Sequence, residues 1–267
     1  MGSAKDIVLK PISAQDANAL IRRVHYSGKV VQNSQLHIGV FYNGHLEGAM
    51  QFGPSLDKRK IQGLVNDTQW HEFTELNRLA FTDNLPRNSE SRALAIAIKL
   101  LRKHAPQLKW CVTFADGTQC GDGTIYRAAG FVLTGIKENE NIGLLPSGLV
   151  VHKMTLESNP LQTHDYLNGK SYSSITHGKN DWQSFLKYVY GKSMTGFQLR
   201  YIYFIDPSYR AKLTVPELPY SEIEKRGAGM YKGKPRGTGE TDNAPHSNEE
   251  TGGASPTVPL LNKELMA

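Results

Sequence analysis

The stretch Asp116-Gly117-Thr118-Gln119-Cys120-Gly121-Asp122-Gly123-Thr124-Ile125-Tyr126 sets a carboxylate, a glycine-rich loop and a phenol close together in the chain. A carboxylate at a strand end can take up a proton, and a tyrosine hydroxyl at a helix start can give one or hold an intermediate. The apolar run Trp110 to Ala115 reads as a buried strand, and Tyr126-Arg127-Ala128-Ala129 as a short helix stopped by Gly130. Open α/β sheets place ligands at the carboxyl ends of their strands, where Asp116 falls. Cys120 offers a thiol nucleophile, but no base stands beside it in the sequence. Plainer uses exist for the same residues: an Asp-Gly pair forms turns, and a tyrosine fills a core with its hydroxyl satisfied.

Other residues could join this site. His25 and Tyr26, at a helix end, suit a base, a stacking platform for an extruded base or, with Asp116, a metal ligand, and the plainer reading of His25 is a helix-end cap. Arg78 lies on an apolar segment, where a buried guanidinium needs an anionic partner: phosphate, a ligand carboxylate or Glu75. Lys58-Arg59-Lys60 is a basic patch or a solvated loop. Trp182, Lys187, Tyr188, Tyr190, Lys192, Arg200, Tyr201 and Tyr203 supply the aromatic and cationic types that hold nucleic acid, Tyr201 and Tyr203 being equally suited to a strand face.

The elements that must position these groups follow from pattern. Lys5 to Lys10 reads as a strand, Ser13 caps a helix to about Val24, and Leu36–Tyr42 and His45–Phe52 form a hairpin about Asn43-Gly44. A polar, basic connection through Asp57-Lys58-Arg59-Lys60 leads to a central strand, Phe73 to Phe81. A helix from Ser89 to about His104 carries Leu94, Ile98 and Leu101 at helical spacing and ends before Pro106. After the strand at Trp110 and the helix at Tyr126, a strand Leu149 to Leu156 closes a β-α-β-β-β-α-β-α-β order. The expected organisation is a catalytic domain over 1–158 and an aromatic, basic extension over 159–226, with a helix at Trp182–Tyr190 and a strand at Gln198–Ile205. Residues 227–267, rich in Gly, Pro, Thr, Asn and Glu, read as a disordered tail.

The chain has 267 residues, enough for one large domain with an appendage, and a mean hydropathy of −0.43. No apolar run approaches the roughly 20 residues of a membrane span. The start lacks an apolar signal core, and Cys111 and Cys120 are too few for a disulfide framework, so a cytoplasmic protein is expected. A net charge of +6 suits a polyanionic partner.

The element order resembles the GNAT N-acyltransferase fold, a mixed, mostly antiparallel sheet flanked by helices. In that fold the loop before the long helix binds the pyrophosphate of an acyl-coenzyme A. Here it is Pro86-Arg87-Asn88-Ser89-Glu90-Ser91-Arg92, without the usual glycines but with serines and arginines suited to an anion. His25-Tyr26-Ser27-Gly28, Glu75-Leu76-Asn77-Arg78-Leu79, Asn88-Ser89-Glu90-Ser91-Arg92 and Asp116 through Tyr126 to Gly130-Phe131 resemble the phage Mom family, in order over roughly residues 5 to 210. The resemblance implies a DNA-modifying transferase converting adenine in double-stranded DNA to its N6-carbamoylmethyl derivative, which protects phage DNA from restriction in the host cytoplasm. It implies Asp116, Tyr126, Tyr26 and His25 as catalytic residues. Asn88, Ser89, Ser91, Arg92 and Arg78 would hold an acetyl-CoA-type donor, iron being an alternative cofactor. Lys58, Arg59, Lys60, Lys187 and Arg200 would hold DNA, with the adenine flipped out of the stack. The alternatives are an acetyltransferase for a protein or small amine, and a protein that masks DNA without chemistry.

Overall fold

A computed structural model of the chain describes residues 2–231, 233 and 234, which fall within one compact unit, Met1–Arg236. A 3-10 turn, Ala4–Asp6, precedes strand β1, Val8–Pro11, so the first strand is shorter than expected. The cause is a capping box: Ser3 accepts from the Lys5 N–H, and Asp6 accepts from the Ser3 N–H. Helix α1, Ala14–Val24, starts at Ser13, whose hydroxyl accepts from the Asp16 N–H. Strands β2, Leu36–Tyr42, and β3, His45–Gly53, pair about Asn43-Gly44, both at positive φ as the turn requires.

The expected basic connection is a helix, α2, Lys58–Gln62, because the Asp57 side chain caps it at the Lys60 N–H. Then come β4, Phe73–Phe81, α3, Ser89–His104, β5, Trp110–Asp116, and α4, Thr124–Ala128. A long strand absent from the sequence reading, β6, Val132–Leu144, follows. The expected strand Leu149 to Leu156 is instead β7, Val150–His152, running directly into helix α5, Lys153–Glu157. Beyond lie a two-stranded sheet of β8, Thr163–His164, and β9, Lys170–Ser171, then α6, Tyr172–Ile175, and α7, Trp182–Tyr188. Strand β10, Lys192–Phe204, and helix α8, Ser221–Lys225, complete the described elements.

The large sheet runs β1-β2-β3-β4-β5-β10-β6-β7 and is antiparallel except for the β4–β5 pair. It is a mixed, mostly antiparallel sheet flanked by helices, as expected. Strand β10, from the extension expected after Ser158, lies between β5 and β6 in this sheet. Helix α3 buries Ala93, Leu94, Ala97, Ile98 and Leu101 on one face, against Val40, Met50, Leu76, Cys111 and Leu199. On the other, α1 covers Ala49 and Ala80, while Ile61 and Leu64 cover Trp110, Val112 and Ile202. Trp182, read as one of the aromatic residues that hold nucleic acid, is buried and stacked on Phe185 in a smaller core at the β7 end.

Two irregularities shape the site. The β3–β4 register shifts between Gln51↔Arg78 and Phe52↔Leu76, leaving Asn77 as an extra residue. Leu76 therefore faces α3, whereas Arg78 turns with Ala80 to the α1 face. Pairing of β4 with β5 runs only from Phe73↔Trp110 to Leu76↔Thr113, although β4 continues to Phe81 and β5 to Asp116. Beyond Leu76 and Thr113 the two parallel strands part, and a cleft opens at their carboxyl ends.

Candidate active site

Asp116 ends β5 at this opening. Its Oδ1 accepts the Thr118 and Gln119 N–H groups at 2.9 and 3.1 Å, a turn that fixes the carboxylate and leaves Oδ2 facing away from the loop. The turn-forming and site readings of Asp116 are thus one arrangement. Thr118, buried, accepts from the Phe197 N–H and ties the loop to β10. Residues counted in the expected tail secure it further: the Met230 N–H reaches the Gly117 carbonyl, and the Gly121 N–H reaches the Met230 carbonyl, each at 2.8 Å. The remainder of that expected tail, 232 and 235–267, lies outside the described residues.

Tyr126 is carried by α4, whose N-cap Gly123 has φ 75°. A side chain there would also meet the Tyr201 ring at 2.7 Å, so glycine is required twice over. Tyr201 in turn donates its hydroxyl to the Asp122 carbonyl, so this tyrosine is a core brace. Tyr126 packs on Phe131 and Tyr201, close to Thr113, whose hydroxyl donates to the Leu76 carbonyl at 3.2 Å. Burial pushes Tyr126 up to about 12, so it stays protonated at neutral pH. The Cys120 thiol is likewise pushed up to about 12, by burial and then by Asp116, and is no ready thiolate.

The opposite wall is the end of α1. Tyr26 is 58 % exposed at the rim, yet burial of its hydroxyl and the nearby Asp116 raise its pKa. The ring offers a face to solvent while the hydroxyl sits within electrostatic reach of Asp116, Cys120, Arg78 and Tyr126. His25 is held down to about 4 by burial and by Arg78, so its imidazole is neutral at pH 7. Its Nδ1 accepts the Ser27 N–H at 3.2 Å, which puts the ring proton on Nε2 and makes that nitrogen a donor, not a base. Arg78 donates to the Lys29 and Asn77 carbonyls at 3.0 and 2.8 Å; burial lowers its pKa, and Tyr26 and Glu75 oppose that effect. Burial raises Glu75 above the usual carboxylate range, and the neighbouring Arg78 opposes that effect. The Lys29 ammonium reaches across to the Thr155 carbonyl and the Ser158 hydroxyl, both at 2.9 Å, fastening α1 to α5.

That fastening brings in a residue no sequence pattern marks. His152, where β7 meets α5, sets Nε2 3.5 Å from Asp116 Oδ2. Asp116 and His152 are far apart in the chain, and only the β6–β7 hairpin returns His152 to the cleft.

Helix α3 begins beside α4, and its N-cap Asn88 is left-handed and makes no side-chain cap. The Glu90 and Ser91 N–H groups therefore lack the usual side-chain acceptor, Ser89 Oγ is buried without a partner, and Arg87 and Arg92 are exposed nearby. This donor set fits a phosphate-bearing group. A resident iron fits poorly: among the described residues no three His, Cys, Asp or Glu side chains group to hold a metal.

The residues read as DNA-binding scatter. Arg59, Lys60 and Lys187 are exposed, Lys58 lies over the Trp70 ring at 4.4 Å, and Arg200 is engaged by Thr134 Oγ1 and the Thr134 carbonyl at 3.1 and 2.7 Å. Tyr188 and Tyr190 are exposed, whereas Tyr203 packs into the α3 core.

Residues 6–222 match the model of the Mom protein family. The chain is 33 % identical over 183 residues to methylcarbamoylase mom of Escherichia phage Mu, covering 67 % of this chain and 75 % of that one. Among solved structures, a GNAT family acetyltransferase from Elizabethkingia anophelis with acetyl-CoA bound aligns with 73 % of this chain and 97 % of its own, at 16 % identity and TM-score 0.39. Spermidine/spermine N-acetyltransferase of Vibrio cholerae, in complex with manganese ions, aligns with 78 % and 98 % at 8 % identity and TM-score 0.40. Those scores are too low to bear on the chemistry.

Proposed function

Since this chain belongs to the Mom protein family, we propose that it is a transferase modifying adenine N6 in double-stranded DNA, as the methylcarbamoylase name of its phage relative and the family resemblance imply. The product is the N6-carbamoylmethyl base, and the role is protection of phage DNA from restriction in the host cytoplasm. Among the described residues no helix is long and apolar enough to cross a membrane. The observation that carries the reading is the convergence of His25, Tyr26, Arg78, Asp116 and Tyr126 where β4 and β5 part.

An exocyclic adenine amine is a weak nucleophile, its lone pair delocalised into the ring, so a proton must be drawn from it as it attacks. Asp116 Oδ2 accepts that proton while Oδ1 stays anchored in its turn. Tyr126, held protonated, donates to the leaving group or to the oxygen where charge gathers. The exposed ring of Tyr26 supplies a stacking face for a flipped base, offsetting part of the few kcal/mol that flipping costs. The α3 start, with Ser89, Ser91, Arg87 and Arg92, would hold the phosphates of an acyl-coenzyme A type donor. Arg78 is occupied by backbone carbonyls and is better suited to shaping the α1 wall than to gripping that donor.

Mass spectrometry of nucleosides from the DNA of expressing cells tests the proposal. A carbamoylmethyl-adenine peak is expected; unmodified adenine throughout sinks it.

A further inference from the structure

We propose that His152 is the proton relay behind Asp116, an inference that rests on the proposed function. Asp116 Oδ1 is committed to two backbone N–H groups, so both the substrate proton and any onward transfer must use Oδ2. The approach to Oδ2 from the protein side is His152 Nε2, at 3.5 Å. That nitrogen is buried and has no hydrogen-bond partner, a state that costs roughly 1–3 kcal/mol unless a function or a small closure compensates it. The distance is slightly long for a hydrogen bond, as catalytic contacts often are before substrate binds. The His152 side chain is nevertheless 25 % exposed, and since Nε2 is covered, the open part of the ring lies elsewhere. The imidazole thus spans from the floor of the cleft to solvent.

The transfer balances. The attacking N6 loses its proton to Asp116 Oδ2 as its bond to the donor carbon forms and that carbon's bond to its leaving group breaks, the leaving group taking the Tyr126 proton. The carboxylic acid passes its proton to the lone pair on Nε2. The ring releases a proton to water and returns by exchange with water to the tautomer with its lone pair on Nε2, and water reprotonates Tyr126. Asp116 returns to its anionic form for the next turnover. His152 acts through Asp116, and its backbone place is set by the β6–β7 pair Ile142↔His152 and by α5, which Lys29 fastens to the α1 wall.

The test compares rates of modified adenine formation on plasmid DNA in clarified lysates of cells expressing wild type, His152→Gln and His152→Ala. Glutamine keeps a polar side chain of similar reach beside Asp116 but cannot carry a proton. Both variants are expected to fall on the order of 10²-fold with unchanged melting temperature, and added imidazole is expected to restore part of the His152→Ala rate. A full rate for His152→Gln overturns the relay alone, because orientation then suffices. Failure of imidazole to rescue a folded His152→Ala also overturns it. No modified adenine with wild type overturns the functional reading and the relay with it.

Discussion

Tyr126 and His25 show how burial assigns roles to single side chains. Tyr126→Phe removes the hydroxyl but keeps the ring against Phe131 and Tyr201. With that packing kept, the melting temperature should stay near native, whereas losing the acid should lower adenine modification on the order of 10²-fold. Nucleoside mass spectrometry paired with thermal melting reads both quantities, and undiminished modification removes Tyr126 from the mechanism. His25 makes a different prediction, on stability. Below pH 6.5 the unfolded chain's imidazole takes a proton that the folded one refuses until about pH 4. The unfolded state binds more protons in that window, so stability contributed by this group is present above it and lost as pH falls through it. His25→Gln should therefore flatten the melting temperature between pH 6.5 and 4; an unchanged slope would show that the ring is not held neutral by its surroundings.

At the scale of elements, the loop between β5 and α4 is set by its glycines and its anchors. Gly123→Ala meets both a left-handed φ and the Tyr201 ring, so α4 must shift and take Tyr126 with it. A loss of about 1–3 kcal/mol and a drop in modification are expected, with far-UV circular dichroism unchanged; a variant with native melting and activity would show that α4 tolerates the displacement. The elements around this loop differed in how plainly the chain announced them. β4 and α3 stand at their expected bounds because each carries a long apolar period and clear end signals at Pro86 and Pro106. β6 went unread because Gly135 and the polar run Lys137 to Asn141 interrupt it; its pairing comes from β10, distant in sequence. β7 was drawn too long since Met154 and Leu156 continue its apolar pattern, yet Leu156 points into a helical core. For the same reason Asp116 and Tyr126 were legible, joined by one loop, while His152 was not. The bulge at Asn77 was equally hidden: alternation alone puts Leu76 and Arg78 on one face.

Over the whole molecule, a net charge of +6 does not say where a duplex lies, but the engagement of each cation does. Arg200 is spent on Thr134, and Lys58 rests on Trp70, whereas Arg59 and Lys60 stand exposed on α2. The connection before α2 leaves β3 at Gly53, which pairs with Glu75 three residues before Arg78, so α2 follows directly from the cleft wall. A duplex presenting its flipped base to Asp116 would pass its phosphates over α2, and each neutralised phosphate contributes about 0.9 to the slope of log affinity against log salt. Arg59→Gln with Lys60→Gln should lower that slope by about 2 and weaken duplex binding most at low salt, as read by fluorescence anisotropy across a salt series. Arg200→Gln should leave the slope unchanged and lower the melting temperature, since its guanidinium holds β6 to β10 rather than reaching for solvent. If the double variant kept the wild-type slope, the duplex would have to cross another face, with Lys187 on α7 the next exposed cation to replace.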